Sequence, residues 1–583
     1  MKLIFINIFL FAVLISLNAQ EKIGINYVLK SETVLPKLLK QKKFFNAKEK
    51  AEQSLKQTLY KLYNLGFIEA SIDSFSYEQD VLNAYLFLGE KYMLTALENG
   101  NLQEEVVRKV KFQELKFSNK TFSFQEIEQL QYDVLNFYEN RGYPFAEVYL
   151  DSFFIADKQI VSKIYVKQNE LFVIDTIIVE GNTKTKSRYL QNYLSIKKDD
   201  FYNKAKIESI SEKLAQLPFL NESEKAKVYF ENGKASIYVY LAKQKSNQFN
   251  ALLGIAPNSS LTKNKVNITG DVKLHLRNSF GVGEEIYLDF KQLKPRTQNL
   301  DLKLNYPFLL NLPFGLKAAF SLYKNDTSFL NLNSKAGVHY HFNGADFIQL
   351  YYENKTSNVL NYDTTKVRRT NALPEILDLS DNRFGLKLHF QKLDYILNPR
   401  KGYNISISGA LGTKKIIENG TLKTINENIY ENINSRSINF SLETYFEYNI
   451  PILKRHSFLL SNQSSFFISK NILENEKFRI GGANLLRGFD EDAIYSPFYS
   501  LFTLEYHFLL SKNTYFYTFG DMALVEDARF NNGTLDTPFG FGIGAALETK
   551  GGIFSLSYAL GKQFDNKIEL RNGKIHFGYI NLF

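Results

Sequence analysis

The chain lacks cysteine and tryptophan altogether, and its 583 residues include only 3 methionines and 12 prolines. The absence of cysteine excludes disulfide scaffolds, thiolate metal sites, a cysteine nucleophile and a lipidated N-terminal cysteine. Beyond the N-terminus, no segment supplies the roughly 18 consecutive apolar residues that a transmembrane helix requires. Any membrane span of the mature chain is therefore expected to be β-structure.

One apolar run stands at the N-terminus, where residues 3–17 follow Lys2 and precede Ala19. The run is short for a bilayer span and its flanks are typical of secretory signals, so residues 1–19 are predicted to be a signal peptide. Leu17 is a poor match to the small residue expected at that position, which leaves the exact cleavage site open. An uncleaved anchor is the alternative.

Residues 20–246 carry a helical period, and three apolar stripes are each followed by two strand-like segments. The stripes are Ala51, Leu55, Leu59 and Leu62; Ile127, Leu130, Val134 and Tyr138; and Ile207, Ile210, Leu214 and Leu217. Ser123 and Glu126 have the spacing of a capping box at the second helix, and Pro218 is expected to end the third. The repeat predicts α+β modules at 20–100, 101–170 and 171–246, with one larger α+β domain as the alternative.

From about residue 247 the period changes from 3.6 to 2, as where Leu300, Leu302 and Leu304 alternate with Asp301 and Lys303. About sixteen such segments occur, and charged side chains repeatedly occupy the second face, which favours a water-filled lumen over a dry sandwich core. The 15% aromatic share, from 50 Phe and 36 Tyr, suits aromatic girdles at the membrane interfaces. Residues 247–583 are therefore predicted to form an all-β, antiparallel outer-membrane barrel of about sixteen strands, with the N-terminal arm in the periplasm.

The connections between these predicted strands alternate in length. Long ones at 357–381, 412–436 and 469–499 follow odd-numbered strands, whereas short turns such as 399–402 follow even-numbered strands. An even strand count places both ends of the barrel on the periplasmic side, so the long connections are expected on the outer face.

The third long connection contains RIGGANLLRGFDED, which includes Gly481, Gly482, Arg487, Gly488 and Phe489. Taken alone, a glycine-rich turn beside an arginine also occurs in ordinary solvated loops. This turn, however, lies before the fifth strand from the end of a barrel that follows a soluble arm. In that position it resembles the signature of the BamA/TamA outer-membrane assembly family. The three predicted modules make the layout nearer to that of TamA. The segment FVIDTIIVEGNTKTKSRYLQNYL likewise resembles the start of a POTRA (polypeptide-transport-associated) domain, a type of module that offers strand edges to client chains.

This resemblance implies that the loop folds back into the barrel, where Arg487 meets Glu505 and Asp521 while Gly488 turns the chain and Phe489 packs inside. Strand alternation independently points Glu505 inward. For Asp521 the pattern leaves two possibilities, a bulge that shifts the register or an inward aromatic cluster of Tyr515, Tyr517 and Phe519.

The last strand ends in aromatic residues that resemble the C-terminal signal of assembly substrates, namely Phe577, Tyr579 and Phe583 on one face. A merely amphipathic last strand is the alternative. The resemblance also implies a lateral seam, at which the first strand from Gln248 pairs imperfectly with a last strand weakened by Gly573 and Gly578.

The resemblance implies assembly or translocation of outer-membrane proteins, with unfolded client proteins and outer-membrane lipid as partners, and it leaves an inner-membrane or lipoprotein partner open. A lumenal secretion pore or passive channel of the two-partner type is the first alternative, and a surface adhesin is the second. The net charge of +10 comes from scattered lysines, so no nucleic-acid partner is expected.

The chain is expected not to be an enzyme and to bind no cofactor, because it has no P-loop, nucleophile elbow, zinc-protease motif or dinucleotide fingerprint. Two groups of residues are candidate metal ligands. His339 and His341 share one strand face without a suitably spaced third ligand, and the adjacent acids 490–492 lack the alternating spacing of a calcium loop. No metal is therefore predicted.

Overall fold

The structure is a computed structural model that describes residues 23–29, 36, 39, 44–256, 267–294, 296–527, 534–564 and 566–583. The predicted signal peptide lies outside the described residues. No helix in the described part of the chain is long and apolar enough to cross a bilayer. The chain divides into two compact units, Met1–Val173 with Phe201–Lys204, and Ile174–Asp200 with Ala205–Phe583.

The first unit contains two small α+β modules. Module 1 comprises β1 (Ile23–Leu29), β2 (Phe44–Phe45), α1 (Lys48–Tyr63), β3 (Ser71–Glu78) and β4 (Val81–Phe87). Module 2 comprises β5 (Met93–Asn99), α2 (Glu104–Lys109), a 3-10 helix (Glu114–Phe117), β6 (Lys120–Thr121), α3 (Phe124–Glu139), β7 (Glu147–Ala156) and β8 (Gln159–Lys167). The sheet orders are β2-β1-β4-β3 and β6-β5-β8-β7, so the two modules share one topology, in which the last strand lies between the first strand and the one before it.

The predicted helical stripes form the cores of these two modules, with Leu55 and Leu62 buried in the first and Leu130 and Val134 in the second. The expected capping box at Ser123 is wrong. Ser123 does occupy the N-cap position, but its hydroxyl donates to Asn64 Oδ1, and the same oxygen accepts the backbone N–H of Gln125. Asn64, just after α1, therefore supplies the cap that Ser123 was expected to provide.

Module 3 comprises β9 (Val173–Glu180), α4 (Ser187–Leu194), α5 (Lys204–Glu208), α6 (Ile210–Ala215), β10 (Leu220–Glu231) and β11 (Lys234–Lys243), with sheet order β10-β11-β9. The single helix expected over 207–217 is wrong, because two short helices meet at Ser209. The Ser209 hydroxyl donates to the carbonyl of Lys206, a local bond of the kind that competes with the helical ladder. The predicted module boundaries at 170 and 246 fall between two of the sheets. The boundary at 100 is wrong, because β5 pairs with β6 and β8 and therefore belongs to module 2 and not to module 1.

The barrel begins after module 3. Its first strands are β12 (Gln248–Ala256), β13 (Asn267–Arg277), β14 (Glu285–Lys294), β15 (Thr297–Tyr306), β16 (Phe314–Asn325), β17 (Phe329–Asn343), β18 (Asp346–Val359) and β19 (Leu379–Leu393). It continues with β20 (Gly402–Ile416), β21 (Arg436–Leu453), β22 (His456–Ser469), β25 (Phe498–Leu509), β26 (Tyr515–Glu526), β27 (Leu535–Asp536), β28 (Phe539–Thr549), β29 (Gly552–Lys562) and β30 (Lys574–Ile580). The connections hold a short hairpin of β23 (Phe478–Ile480) with β24 (Ile494–Ser496), helices α7 (Thr364–Thr370) and α8 (Gly420–Ile425), and 3-10 helices at Leu309–Asn311, Glu474–Glu476 and Leu570–Asn572.

All neighbouring barrel strands pair antiparallel in sequence order, and the short β27 and the longer β28 both pair with β26 as one strand. In the described part of the chain the barrel therefore has sixteen strands, which confirms the predicted architecture. Outward side chains are mostly apolar and inward ones mostly polar. On β18, for example, Leu350 is 67% exposed while Gln349 and Glu353 face inward and are buried.

The two ends of the barrel differ as predicted. At the near rim, defined as the end that carries module 3, the connections are short, as at 344–345 and 454–455. At the far rim the long connections cover 360–378, 417–435 and 470–497, slightly shorter than predicted because the strands extend further. These three connections share a buried apolar cluster that includes Val367, Leu377, Leu422, Ile429 and Leu473.

Module 3 packs on the near rim through α4. The Tyr189 ring lies 5.5 Å from the ring of Phe308, and the backbone N–H of Gly344 donates to the carbonyl of Tyr193. Burial raises the pKa of both tyrosine hydroxyls, because the charged phenolate is disfavoured away from water. Lys186 N–H donates to the Gly281 carbonyl at 2.8 Å, so the contact also includes backbone hydrogen bonds.

Candidate functional site

The candidate site is the far-rim connection 470–497, named here the crossing loop, together with the inner wall that it contacts. Arg487 makes its central contact. The guanidinium donates from Nε and Nη2 to the two oxygens of Asp521, each at 2.7 Å, and from Nη1 to Glu505 at 2.5 Å. It also lies flat over the ring of Phe519, 3.6 Å from the centroid. One arginine thus holds two carboxylates through charge-assisted bonds, one of them bidentate.

The two carboxylates are themselves fixed by the wall. Asp521 has a fully buried side chain and accepts further bonds from Thr503 Oγ1 at 2.9 Å and from the backbone N–H of Arg487. Glu505 accepts a bond from His507 Nε2 at 2.7 Å. Each acid is therefore held by a side chain of β25 as well as by the arginine, so its carboxylate is fixed from two sides.

The inward orientation of Asp521 settles the register that the sequence left open. β26 pairs with β25 without interruption from Tyr515 to Val525, so no bulge is present between these residues. The inward aromatic cluster is therefore the correct possibility, because Tyr515, Tyr517 and Phe519 line the wall with neighbouring ring centroids about 6 Å apart.

The residues on either side of Arg487 occupy the expected places. Gly488 has φ +91°, and a Cβ on it would lie 2.6 Å from backbone atoms of Leu560 and Gly561 on β29, so the loop backbone lies directly against the wall. Phe489 packs with a buried cluster that contains Leu486 of the loop. Gly481 and Gly482 lie in the turn after β23, against Asp490 and Glu491.

Sequence reasoning missed the part of the wall that receives the loop. The inward face of β28 begins with Gly540, Gly542 and Gly544, and a Cβ on Gly540 would collide with the carbonyl oxygen of Arg487. The signal was present in the segment FGFGIG, where glycine alternates with large apolar residues. Because glycine has no side chain, Gly540 leaves room for the loop backbone, and Gly542 and Gly544 leave room for the rings of Phe519 and Tyr517.

The crossing loop is also attached to the opposite wall. The Arg479 guanidinium lies 3.2 Å from the ring centroid of Tyr323 on β16, and the Tyr323 hydroxyl donates to Asp492 at 3.4 Å. Lys414 of β20 forms an ion pair with Glu476 at 2.8 Å, and both side chains are almost fully buried.

Further bonds run from Asn475 Nδ2 to Ser357 of β18 and from Asn331 of β17 to the Asn475 carbonyl. On the other side, Asp490 pairs with Lys574 of β30 at 2.8 Å. The loop therefore contacts β16, β17, β18 and β20 on one wall and β25, β26, β29 and β30 on the other, and it crosses the lumen.

Neither of the two metal candidates has the geometry of a metal site. His339 and His341 lie side by side with ring centroids 4.8 Å apart, but the ammonium of Lys317 acts on both and would repel a cation. Asp490 and Asp492 turn to different partners, Lys574 and Tyr323. Across the described residues no group of three acidic, histidine or cysteine side chains could hold an ion.

The seam between the first and last barrel strands is sparsely paired. β12 forms nine residue pairs with β13 and β30 forms seven with β29. Among the described residues, β12 meets the last strand at one bridge, between Gln248 and Leu582 just after β30. Beyond that bridge the side chain of Asn250 takes the place of backbone pairing, since it donates to the Tyr579 carbonyl at 2.6 Å and accepts from the Asn581 N–H at 3.1 Å.

The C-terminal aromatics lie beside this seam. Phe577 is 66% exposed on the outer face of β30, and Tyr579 on the same face donates its hydroxyl to the Gly551 carbonyl. Phe583 was expected on the same strand face, but β30 ends at Ile580. The Phe583 N–H instead donates to the Asn247 carbonyl, so the chain end closes against the start of the barrel.

Comparison with known proteins agrees with this architecture. A family model described as the Omp85 superfamily domain matches residues 278–580, and a POTRA model described as a surface antigen variable number repeat matches residues 172–273. The structures of CdiB from Acinetobacter baumannii and from Escherichia coli have the same fold, with TM-scores of 0.53 and 0.52 at 13% identity. The matches cover 92% and 95% of this chain and 96% and 100% of those chains.

A curated relative, the outer membrane protein assembly factor BamA of Nitratidesulfovibrio vulgaris, is 24% identical over 168 residues. That match covers 27% of this chain and only 21% of the relative's length.

Proposed function

Because the chain belongs to the Omp85 superfamily, we propose that it is an assembly or translocation factor, which inserts β-barrel or surface proteins through its seam. Its barrel lies in the outer membrane and its N-terminal modules lie in the periplasm. The near rim therefore faces the periplasm and the far rim faces the outside. The proposed activity needs no covalent chemistry or cofactor, since the folding free energy of the client would drive insertion.

The sparse seam is the observation that carries this proposal. An unpaired strand edge in lipid is strongly unfavourable, because no water can satisfy its backbone groups. Here one bridge and one asparagine side chain stand where neighbouring strands make seven to nine pairs. A client strand that pairs with the edge of β12 or β30 would replace these few contacts with a full ladder.

The arm offers a place for client capture. β7 is the edge strand of module 2, and it exposes a run of large apolar side chains, Phe153, Phe154 and Ile155, each more than half exposed. The edge strand β10 of module 3 is instead occupied by charged residues such as Glu224 and Lys227. We therefore assign early docking of an unfolded chain to β7, by strand addition with its apolar side chains as contacts.

The rival function is a lumenal secretion pore of the two-partner type. That function requires an open lumen, and the crossing loop would have to release Arg487 on one wall and Arg479 on the other first. Single-channel conductance separates the two functions. Small conductance in the wild type, with a rise in an Arg479→Ala, Arg487→Ala double variant, fits the seam function. Large wild-type conductance together with normal assembly of other barrels on depletion fits the pore.

Depletion of the protein followed by a comparison of the outer-membrane proteome tests the proposed function directly. We expect several barrel or surface proteins to fall together while periplasmic proteins stay unchanged. Complementation with a Phe153→Ser, Phe154→Ser variant should restore the levels of these proteins less than complementation with a Phe75→Ser variant does. Phe75 is the control because its exposed ring lies on the edge strand of module 1. An unchanged proteome would contradict the assembly function.

A further inference from the structure

Four lysines on the inner wall of the barrel form a cluster that the crossing loop does not use. They are Lys303 on β15, Lys317 on β16, Lys335 on β17 and Lys387 on β19, named here the lysine patch. Lys303, Lys317 and Lys387 belong to the inward-facing series, since their sequence neighbours Leu304, Leu316 and Leu386 are exposed on the outer face. Lys335 belongs to it because it lies opposite the inward-facing Glu353 on the ladder. Lys303 and Lys317 lie close to the near-rim ends of their strands.

No ion pair that the structure describes compensates the charges of the patch. Among the described residues no carboxylate forms an ion pair with any of the four. Lys317 and Lys335 lie over the rings of Phe347 and Tyr351, each 3.6 Å from the centroid, and a ring attracts a cation without cancelling its charge.

Nearby acids already have other partners or act from a distance. Glu353 faces Lys335 across the ladder, but its carboxylate accepts a bond from Asn333 and adjoins Arg383. Glu285 pairs with Arg277, and Asp301, two residues from Lys303 on the same face of β15, forms no ion pair with it in the described part of the chain.

The four ammonium groups also repel one another. Lys303 and Lys335 both face Ala319 from the strands on either side of β16, and Lys317 lies two residues from Ala319 on the same face. Lys387 faces Gln349 on the same inner wall, two strands away from Lys335. Like charges held together in a confined space disfavour the charged state unless an anion compensates them. The side chains are partly or fully exposed to the lumen, so such an anion can reach them.

The dimensions of the patch indicate the size of its ligand. It extends across five neighbouring strands, which at the usual strand spacing is about 19 Å. A single phosphate would contact only part of that width, whereas about six residues of extended chain would cover it. The patch faces the lumen and not the lipid, which favours a soluble chain over a lipid headgroup.

We propose that the lysine patch binds an acidic, extended segment of a polypeptide that enters the lumen from the near rim. This proposal rests on the assembly or translocation function proposed above, and it specifies the chemistry of one class of client, a segment rich in aspartate and glutamate.

The test measures binding of fluorescent hexaglutamate to the full-length protein in detergent micelles by anisotropy. A Lys317→Gln, Lys335→Gln, Lys387→Gln variant is compared with the wild type. The matched control, Lys197→Gln, Lys198→Gln, Lys225→Gln, removes the same charge from exposed positions on module 3. We expect the patch variant to bind about tenfold more weakly or worse and the control to bind as the wild type does. Added salt should weaken wild-type binding, and hexalysine should not bind.

Equal binding by the patch variant, or an equal loss in the control variant, would overturn the proposal. Displacement of the peptide by inorganic phosphate at equal concentration would assign the patch to small anions and overturn the polypeptide ligand. Displacement by phosphatidylglycerol micelles at lower concentration than by unlabelled hexaglutamate would assign it to lipid headgroups, with the same consequence.

The binding assay needs no insertion activity, so the two proposals fail separately. Specific hexaglutamate binding alongside an unchanged proteome on depletion would reject the assembly function and keep the patch. Equal hexaglutamate binding by the wild type and the patch variant, alongside a changed proteome on depletion, would reject the patch and keep the assembly function.

Discussion

At the scale of single residues, the chemistry of arginine explains the crossing-loop contact. Arg487 presents one edge of its guanidinium to Asp521, another N–H to Glu505 and its flat face to Phe519. A lysine ammonium is a point charge that can neither bond Asp521 side-on nor stack on the ring. Because the Asp521 side chain is fully buried, loss of the arginine leaves a carboxylate charge without compensation.

We predict that Arg487→Ala weakens the anchoring of the crossing loop by about 3–5 kcal/mol and that Arg487→Lys recovers only part of this. Hydrogen exchange or protease cleavage within 470–497 of the inserted barrel measures the effect. Arg571→Ala is the control, since it removes an arginine–glutamate pair whose arginine is 82% exposed. Wild-type protection of the loop in Arg487→Ala, with normal assembly activity, would show that the contact does not hold the loop.

At the scale of elements, helix α4 and the near-rim connection 278–284 form one packed joint. Gly283 has φ +73°, and a Cβ at this position would overlap the ring of Tyr189. The same ring contacts Phe219 of module 3 and Phe308 of the barrel, so its position depends on both sides of the joint.

We predict that Gly283→Ala displaces Tyr189 and destabilises the joint by about 2 kcal/mol or more, through backbone strain and overpacking. Faster hydrogen exchange of the α4 amides, with unchanged exchange in the central barrel strands, is the expected readout. Gly551→Ala is the matched control, because that near-rim glycine has an ordinary φ and no atom closer than 3.7 Å to a built Cβ. Equal hydrogen exchange of the α4 amides in the Gly283→Ala and Gly551→Ala variants would show that Gly283 and Tyr189 do not hold the joint together.

The seam gives a second prediction at this scale. A disulfide from Gln248→Cys with Leu582→Cys should abolish assembly activity, and a reductant should restore it, because the bridged pair can no longer separate. The control disulfide, Ala336→Cys with Tyr352→Cys, joins directly opposed residues of the central strands β17 and β18 and should leave activity intact. The native chain contributes no competing cysteine. Full assembly activity of a protein whose seam disulfide is verified would contradict insertion through the seam and favour the lumenal pore.

At the scale of the whole molecule, module 3 shares a compact unit with the barrel, whereas modules 1 and 2 form the other unit. The helical stripes of residues 21–246 taken alone predict modules that fold as a soluble fragment without the barrel. The packing of α4 on the near rim qualifies that expectation for module 3, because Tyr189 and Tyr193 are buried against barrel residues that such a fragment lacks.

We predict that a fragment of residues 21–171 is monodisperse and unfolds in one transition of its own. The longer fragment 21–246 should show an added transition at lower temperature, since each tyrosine that loses its barrel contacts forfeits up to about 1.5–3 kcal/mol of burial. Circular dichroism melts of both fragments provide the measurement. A longer fragment in which module 3 is as resistant to proteolysis as in the full chain would contradict this prediction.

Local periodicity alone determined most of the architecture. Because successive strand side chains face opposite sides, alternation located sixteen strands, their order and the parity of the long connections. Helical spacing located the stripes of α1 and α3, because residues three and four apart lie on one face of a helix. Arg487, Glu505 and Asp521 were identified only through resemblance to a known signature, since nothing in local spacing joins positions 18 and 34 residues apart.

The tertiary structure decided which distant groups meet. The cap of α3 from Asn64, the second anchor of the crossing loop at Tyr323, the glycine wall of β28 that receives Arg487 and the single bridge at the seam all join residues far apart in sequence. Such contacts depend on how a closed barrel brings its walls and ends together, and their energies compete with local preferences such as the unused capping box at Ser123. Side-chain period specifies a face, whereas the partner across the lumen is fixed only when the sheet closes.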